Sequence, residues 1–337
     1  MKKRLWISFS IVIAVALIGG FFYVRDQAYF SHGREQNNVV FNIQKGEGSL
    51  RIAADLESKS LISSRFYFWG YLKARGLSDK IYPGRYLLSG KMTIPEIAAI
   101  VTNPQKVYEQ VLFKEGWTAK QMADELDVHG FDGAAFISLV KNPPEDMVSQ
   151  FSVLSDKPAG ASLEGYLFPD TYYFSREATP KGILEKILDN TQNKITSDML
   201  DSINLQHKTV FKILTMASII EKEVNKDTDR TLVSGLFWNR IKIGQPLQSD
   251  ATLTYILGDN RSRHSIEETK VNSAYNTYVN KGLPPGPISN PGLSSILAAI
   301  YPKDSDYNYF LSDPATGNTV FAKTYAEHLA NKARYGL

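Results

Sequence analysis

A long uncharged segment near the N-terminus constrains the fold of this 337-residue chain more than any other feature. Residues 5–24 carry no charged side chain and directly follow Lys2, Lys3 and Arg4. About 20 helical residues span about 30 Å, which is the thickness of a bilayer core. We therefore predict a tail at 1–4, a transmembrane helix at 5–24 and a polar linker at 25–38. Aromatic residues at both ends of the segment are typical of membrane interfaces: Trp6, Phe21, Phe22 and Tyr23.

The basic residues before this segment predict its orientation. Positively charged flanks stay in the cytoplasm, so the chain after Arg25 should lie outside. The expected location is the plasma (inner) membrane, crossed once, with the N-terminus cytoplasmic and the folded part periplasmic or otherwise extracytoplasmic. A cleaved signal peptide is the alternative, but no good cleavage site between small residues follows the segment.

Composition excludes several classes of function. The chain has no cysteine, which excludes disulfides and thiolate metal sites, and its five histidines are scattered without metal-ligand spacing. We therefore predict no metal and no cofactor. The net charge of +3 is too small to indicate a nucleic-acid partner.

The exterior part reads as an α+β fold with two domains. Residues 39–103 predict a strand at 39–43, a helix capped by Ser49, a helix at 63–75, a strand at 85–88 and a helix opened by the Thr93–Glu96 capping box. This unit resembles a LysM-like glycan-binding module, with a plain structural subdomain as the alternative. The second domain, 104–337, should contain these elements: a strand at 107–113, a helix opened by a Thr118–Gln121 capping box, a loop at 142–162, helices at 179–205, 208–226 and 229–242, a hairpin of 308–311 with 319–322, and a helix at 325–335.

Glu221 is the strongest candidate for a catalytic group. In a helix over 210–224 it falls within about 60° of four apolar residues, Val210, Leu214, Ala217 and Val224. Burial raises the pKa of a carboxyl group, as a general acid needs near neutral pH. Glu223 lies about 200° away, so the two acids should not share a cleft. The alternative is a buried Glu221 paired with an Arg or Lys from elsewhere.

Polar and aromatic residues interleave in several segments after residue 160 that read as loops, among them 162–172, 247–252, 275–278 and 282–292. Such a mixture suits a sugar polymer, because rings pack on sugar faces and amides bind hydroxyl or N-acetyl groups. Turn-forming or helix-terminal anchoring roles are the alternatives. The candidate substrate-binding residues are Glu164, Asn239, Arg240, Gln248, Ser249, Asp250, Tyr275, Asn276, Thr277 and Tyr278.

Taken in series, these motifs resemble the endolytic murein transglycosylase (YceG-like) family. The matching stretches are 164–172, 217–223, 239–241, 247–250, 274–278 and 282–286, and the layout of anchor, LysM-like module and catalytic domain matches too. The resemblance implies cleavage of the β-1,4 bond between N-acetylmuramic acid and N-acetylglucosamine inside nascent peptidoglycan strands. It implies a 1,6-anhydro product made without water, an end to strand elongation, and Glu221 as the catalytic residue.

The implied partners are peptidoglycan strands, the membrane and peptidoglycan synthases. In this reading Glu164 is structural or positions substrate, for instance by capping a loop or pairing with Arg240. Two other functions remain open. One is a hydrolase that uses Glu221 with Glu164 or Asp250, and the other is a non-catalytic wall-binding scaffold.

Overall fold

A computed structural model describes residues 2–224, 226–259, 261, 264–313 and 315–337, with side chains from residue 11 onwards. Three positions of the predicted elements lie outside the described residues: Met1 of the tail, Asn225 of the 208–226 helix and Pro314 of the hairpin turn. The side chain of Trp6 lies outside them as well. The chain forms two compact units, Met1–Gln110 with Tyr173–Glu177, and Val111–Tyr172 with Ala178–Leu337. Both contain helices and strands, which confirms the α+β class.

The first unit begins with the apolar helix α1 (Lys2–Tyr29), which continues beyond the predicted span into the predicted linker. Among its described residues, Ile11–Tyr29 are long and apolar enough to cross a membrane, and only 6% of that stretch is buried. A core helix of a water-soluble protein would be mostly buried. Helix α1 is therefore a candidate membrane anchor or signal sequence.

Two antiparallel strands and three helices follow. Strand β1 (Val39–Ile43) pairs with β2 (Gly84–Leu88), with Val39 opposite Leu88. The sheet continues through β3 (Tyr108–Leu112) and β4 (Thr171–Ser175) in the order β1-β2-β3-β4. Between and after the paired strands lie α2 (Ser49–Ser58), α3 (Arg65–Arg75) and α4 (Ile94–Val101). Their apolar faces form one core whose largest members are Phe41, Phe68 and Tyr86.

The second unit is mainly helical. Its elements are α5 (Ala119–Val128), α6 (Gly133–Lys141), α7 (Glu145–Val148), α8 (Pro180–Lys194), α9 (Ser197–Leu205), α10 (Val210–Glu223), α11 (Asp227–Lys242), α12 (Asp250–Leu257), α13 (Leu293–Ile300), the hairpin β5 (Tyr309–Ser312) and β6 (Thr319–Ala322), and α14 (Tyr325–Arg334). Helix α10 is central, since ten of its 14 residues are buried. It packs against α11, α12 and α13. The ends of these helices position the candidate site.

Most predicted elements are confirmed, including the capping boxes at Thr93 and Thr118. Four details are wrong. Gly48, not Ser49, is the N-cap of α2. The predicted loop at 142–162 contains α7 and a 3-10 turn, Ser152–Leu154. The predicted helix at 179–205 is two helices, because Ile195 is extended and the Thr196 side chain caps α9. Residues 250–252, expected in a loop, begin α12.

Candidate active site

The Glu221 side chain lies in the last turn of α10 and is only 6% exposed. Its Oε1 accepts a hydrogen bond from Arg230 Nη2 at 3.1 Å, and its Oε2 accepts one from the Gly292 backbone N–H at 3.0 Å. Arg230 belongs to α11 and is 8% exposed, so water barely reaches the ion pair. Both carboxylate oxygens are therefore held in fixed directions by donors from two other segments.

These surroundings differ from the apolar environment that the helix pattern predicted. The alternative stated from the sequence, a buried Glu221 paired with a cation from elsewhere, describes the observed contact with Arg230. A helix pattern reports which residues share a face of one helix, but not what the neighbouring elements place there. The pairing does not decide whether Glu221 is catalytic, because ion pairs occur in structural networks and in active sites alike.

The Arg230 guanidinium is held by further acceptors. Its Nη1 donates to Asp227 Oδ1 at 2.9 Å, and its Nε donates to the Val224 carbonyl at 3.3 Å. Ser294 Oγ, at the start of α13, donates to the same Asp227 oxygen at 2.6 Å. The network ties the ends of α10, α11 and α13 together at the carboxylate of Glu221.

A second carboxylate, Glu115, lies beside this network in the turn between β3 and α5. Glu115 is exposed to solvent. A Cβ atom built on Gly292 would be 2.0 Å from Glu115 Oε1, so the Glu115 carboxylate packs directly against the Cα of Gly292. Partial burial and the nearby charge of Glu221 raise the pKa of Glu115, while Arg230 opposes the shift. The sequence did not suggest Glu115 or Arg230 as site residues, and it pointed to Gly292 only as the end of the 282–292 loop segment.

Asn290 holds the turns behind the site in place. The residue is fully buried, and its Nδ2 donates to Glu164 Oε1 at 2.8 Å. Its Oδ1 accepts from the backbone N–H groups of Gly165 and Leu167. Its backbone carbonyl accepts from Gly116 N–H at 2.9 Å. One side chain thereby fixes the 115–119 turn, the 164–167 turn and the segment that leads to Gly292.

Glu164 is a buried capping group in this structure. Its Oε1 and Oε2 accept from the Ala119 N–H, the first of α5, at 2.9 and 3.1 Å. Burial raises the pKa of Glu164 to about 7, even though the hydrogen bonds from Ala119 and Asn290 favour its ionised form. Arg240, proposed as a partner for Glu164, donates instead to the Leu247 and Asn308 carbonyls.

Several other predicted residues gather around Glu223. Ser249 Oγ donates to the Glu223 carboxyl, and burial raises the pKa of Glu223 to about 7. Thr277 holds this region together, since its Oγ1 accepts from Ser249 N–H at 3.1 Å and its carbonyl accepts from Gln248 N–H at 3.0 Å. Tyr278 and Asp250 are also joined, with a hydroxyl-to-carboxylate distance of 2.7 Å.

The remaining predicted residues differ in accessibility. Asn276 is fully buried, and its amide donates to the Thr269 and Val271 carbonyls, so it shapes the 269–278 loop. The Tyr275 ring packs against Tyr255 with 5.1 Å between centroids. Asn239 and Gln248 are exposed. Among the residues that the structure describes, no three His, Asp or Glu side chains come close enough to hold a metal ion.

Known proteins similar to this chain point to one family. The model of the YceG-like family matches residues 41–334. A protein of Bacillus subtilis (strain 168) named endolytic murein transglycosylase is 33% identical over 331 residues, which cover 95% of this chain and 91% of that protein. One of the same name from Streptococcus pneumoniae serotype 2 (strain D39 / NCTC 7466) is 30% identical, over 99% of this chain and 65% of its own length.

A solved structure is similar as well. The 2.6 Å crystal structure of a yceG-like protein from Listeria monocytogenes has 33% sequence identity and a TM-score of 0.60, and the match covers 88% of this chain and all of that one. Family model, relatives and fold agree with the series of motifs in the sequence. The chain therefore belongs to the YceG-like family.

Proposed function

We propose that this protein is a membrane-anchored endolytic murein transglycosylase, a peptidoglycan lyase, with Glu221 as its catalytic residue. Its substrate is the β-1,4 bond between N-acetylmuramic acid and N-acetylglucosamine within nascent glycan strands, and its product ends in 1,6-anhydro-N-acetylmuramic acid. The names of the relatives support the class of activity. One geometric observation carries the assignment: donors from two other segments hold the Glu221 carboxylate at the end of a buried helix.

In this mechanism a single carboxyl group moves one proton out and back. Protonated Glu221 donates to the glycosidic oxygen as the bond to the anomeric carbon breaks, and that carbon gains oxocarbenium character. The Glu221 carboxylate then accepts the proton of the sugar's C6 hydroxyl, whose oxygen bonds to the anomeric carbon. An internal nucleophile has a high effective concentration, so no water is activated. Arg230 and the Gly292 N–H fix the direction of the carboxylate and stabilise its charge after the first step.

The predicted substrate-binding residues divide into three groups in this proposal. The exposed amides of Asn239 and Gln248 are candidates for direct contact with sugar hydroxyl or N-acetyl groups. Glu164, Ser249, Asn276 and Thr277 use their side chains within the protein, so they act by shaping the surrounding loops. Arg240, Asp250, Tyr275 and Tyr278 are half-buried at the edge of those loops.

We also propose that the first unit binds glycan as a LysM-like module. Its order of elements is β1-α2-α3-β2, with the two strands paired antiparallel. A cavity of about 350 Å³ opens between the turn after β1 and the loop before β2, lined by Gln44, Glu47, Ser49 and Asp79 among others. Polar groups around a concave site suit sugar hydroxyls.

Helix α1 anchors the protein in this proposal. The basic residues at its N-terminal end favour a cytoplasmic N-terminus, with both folded units outside the plasma (inner) membrane. Newly made glycan strands leave their synthases at that surface. Peptidoglycan synthases are therefore the proposed protein partners.

Analysis of the products tests the proposed function. Full-length protein in detergent micelles is incubated with purified glycan strands, and the new ends are identified by mass spectrometry. We expect internal cleavage to 1,6-anhydro ends, and none with Glu221→Gln. Near-normal cleavage by that variant would remove Glu221 from the mechanism.

A two-carboxylate hydrolase is the second candidate, because Glu115 rather than Glu164 or Asp250 lies next to the Glu221 network. A hydrolase normally needs two carboxylates. Its product ends are heavier by one water than anhydro ends, so the same mass spectra decide between the two chemistries. A scaffold would release no ends at all.

A further inference from the structure

Two carboxylates lie against one glycine at the start of α13. The Gly292 N–H donates to Glu221 Oε2 at 3.0 Å, while the Glu115 carboxylate occupies the space that a Cβ of Gly292 would fill. Gly116, the neighbour of Glu115, also lies beside Glu221: a Cβ atom built on Gly116 would be 3.4 Å from Glu221 Cγ. The turn that carries Glu115 is thus packed directly onto the Glu221 side chain.

We propose that Glu115 and Glu221 act as a carboxyl pair that shares one proton, and that Glu115 is the positioning residue that keeps Glu221 protonated until the glycan strand binds. This inference rests on the proposed catalytic role of Glu221. Acid catalysis needs a protonated carboxyl group, and a neighbouring negative charge disfavours ionisation. Glu115 supplies such a charge beside Glu221, whose two oxygens both accept hydrogen bonds, one of them from a guanidinium.

The charges around the pair set its behaviour. Arg230 from α11 contacts Glu221, Asp227 adds a negative charge through Arg230, and Lys222 of α10 reaches the Gly116 carbonyl at 3.4 Å. Neighbouring carboxyl groups titrate as a unit, and their repulsion holds the last proton to higher pH than either group would alone. Glu115 is the exposed member, so the pair can regain a proton from solvent through it.

The proton count of the reaction closes within this pair. The shared proton lies on Glu221 when the strand is bound and passes to the glycosidic oxygen, whose bond to the anomeric carbon breaks. The C6 hydroxyl then loses its proton to Glu221 while its oxygen bonds to that carbon. The pair ends with one proton, as it began, and no oxidant, reductant or water is consumed.

The pH dependence of strand cleavage by the full-length protein tests this proposal. Glu115→Gln removes the neighbouring negative charge. We therefore expect the alkaline limb of the kcat/KM profile, which reports the free protein, to move to lower pH by about one unit. At pH 8 the value of kcat/KM should fall about tenfold, while its value on the acidic side of the limb should change little. Glu145→Gln, at an exposed position on α7, makes the same change of net charge and should leave the profile unmoved.

A second variant separates the pair from a purely structural role of Glu115. Gly292→Ala leaves both carboxyl groups in the chain, but its Cβ displaces the Glu115 carboxylate. It should move the alkaline limb in the same direction by a smaller amount, and it serves if Glu115→Gln does not fold. A uniform loss of activity with an unmoved limb in the folded variants would overturn the pair, while inactivity of Glu221→Gln would still uphold the proposed function. Activity in Glu221→Gln would defeat both.

Discussion

Glu221 and Glu223 are two residues apart on α10, yet their carboxyl groups have different surroundings. Glu221 faces a guanidinium and a backbone N–H. Glu223 faces the Ser249 hydroxyl, and burial raises its pKa to about 7. The helix pattern of the sequence predicted apolar surroundings for Glu221, whereas the structure surrounds Glu221 with hydrogen-bond donors and buries the carboxyl group of Glu223.

The difference shows that a buried carboxyl group with a raised pKa is not by itself evidence for a catalytic acid. The strongest upward shifts among its carboxyl groups belong to Glu223 and Glu164, which bond neighbouring loops and the start of α5. Glu221 is distinguished instead by fixed donors on both oxygens and by the nearby exposed Glu115. A site prepared for proton transfer needs access to substrate as well as burial.

The largest effect should separate the two acids in catalysis. Glu221→Gln should lower kcat by about 100- to 10,000-fold, the usual contribution of a general acid. Glu223→Gln should stay within about tenfold of the wild type, because Glu223 bonds Ser249 rather than substrate. Strand-cleavage rates of the two matched variants measure this. Equal losses of cleavage rate in the two variants would contradict the different roles proposed for Glu221 and Glu223.

Removal of the buried Arg230 cation beside Glu221 should destabilise the protein more than removal of an exposed cation. Arg230→Met removes the buried donor that Glu221 Oε1 and the Val224 carbonyl share, and it should lower the free energy of unfolding by about 3 kcal/mol at pH 7. The control is Arg261→Met, whose side chain is 54% exposed and whose ion pairs should contribute at most about 1 kcal/mol. Urea titrations of the full-length protein in micelles give both values, and equal losses would contradict a shielded pair.

The pH dependence of stability should report Glu223 and Glu164. Their folded pKa values lie above the ordinary 4.5, so the folded state favours the protonated forms. That stabilisation is complete below pH 4.5 and is lost as the pH rises to about 7, by on the order of 3 kcal/mol for each group. Glu223→Gln should remove its share of the loss. Urea titrations at pH 4.5, 6 and 7.5 measure it, and an unchanged slope in the variant would show that Glu223 titrates normally.

The smallest effect concerns the hydroxyl that Glu223 contacts. Ser249→Ala removes one donor to this carboxyl and should cost about 1 kcal/mol at pH 7.5. Because the lost bond favours the ionised form, the pKa of Glu223 should rise further and the cost should fall at pH 4.5. Thermal unfolding at the two pH values checks this. A larger cost at low pH would mean that the hydroxyl bonds the protonated form.

Local features of the fold were predictable because they depend on neighbours in sequence. The capping boxes at Thr93 and Thr118 and the hairpin of β5 and β6 follow from short-range side-chain and turn chemistry. The break between α8 and α9 was missed because the apolar residues Ile195, Met199 and Ile203 recur at helical spacing across the Thr196 cap. Strand β4 was missed because its pairing partner lies far along the chain.

The candidate site also combines features that the sequence predicts with contacts that it does not predict. The sequence by itself showed the motifs of the family and the apolar helix near the N-terminus, and it made Glu221 a candidate, because residue type and spacing carry that information. Only the tertiary structure decided that Arg230, Gly292 and Glu115 surround Glu221, and that the Ser249 hydroxyl donates a hydrogen bond to Glu223. Those contacts join residues as far apart in the sequence as Glu115 and Gly292. The electrostatics of a buried acid depend on such packing between elements, which the periodicity of one helix does not encode.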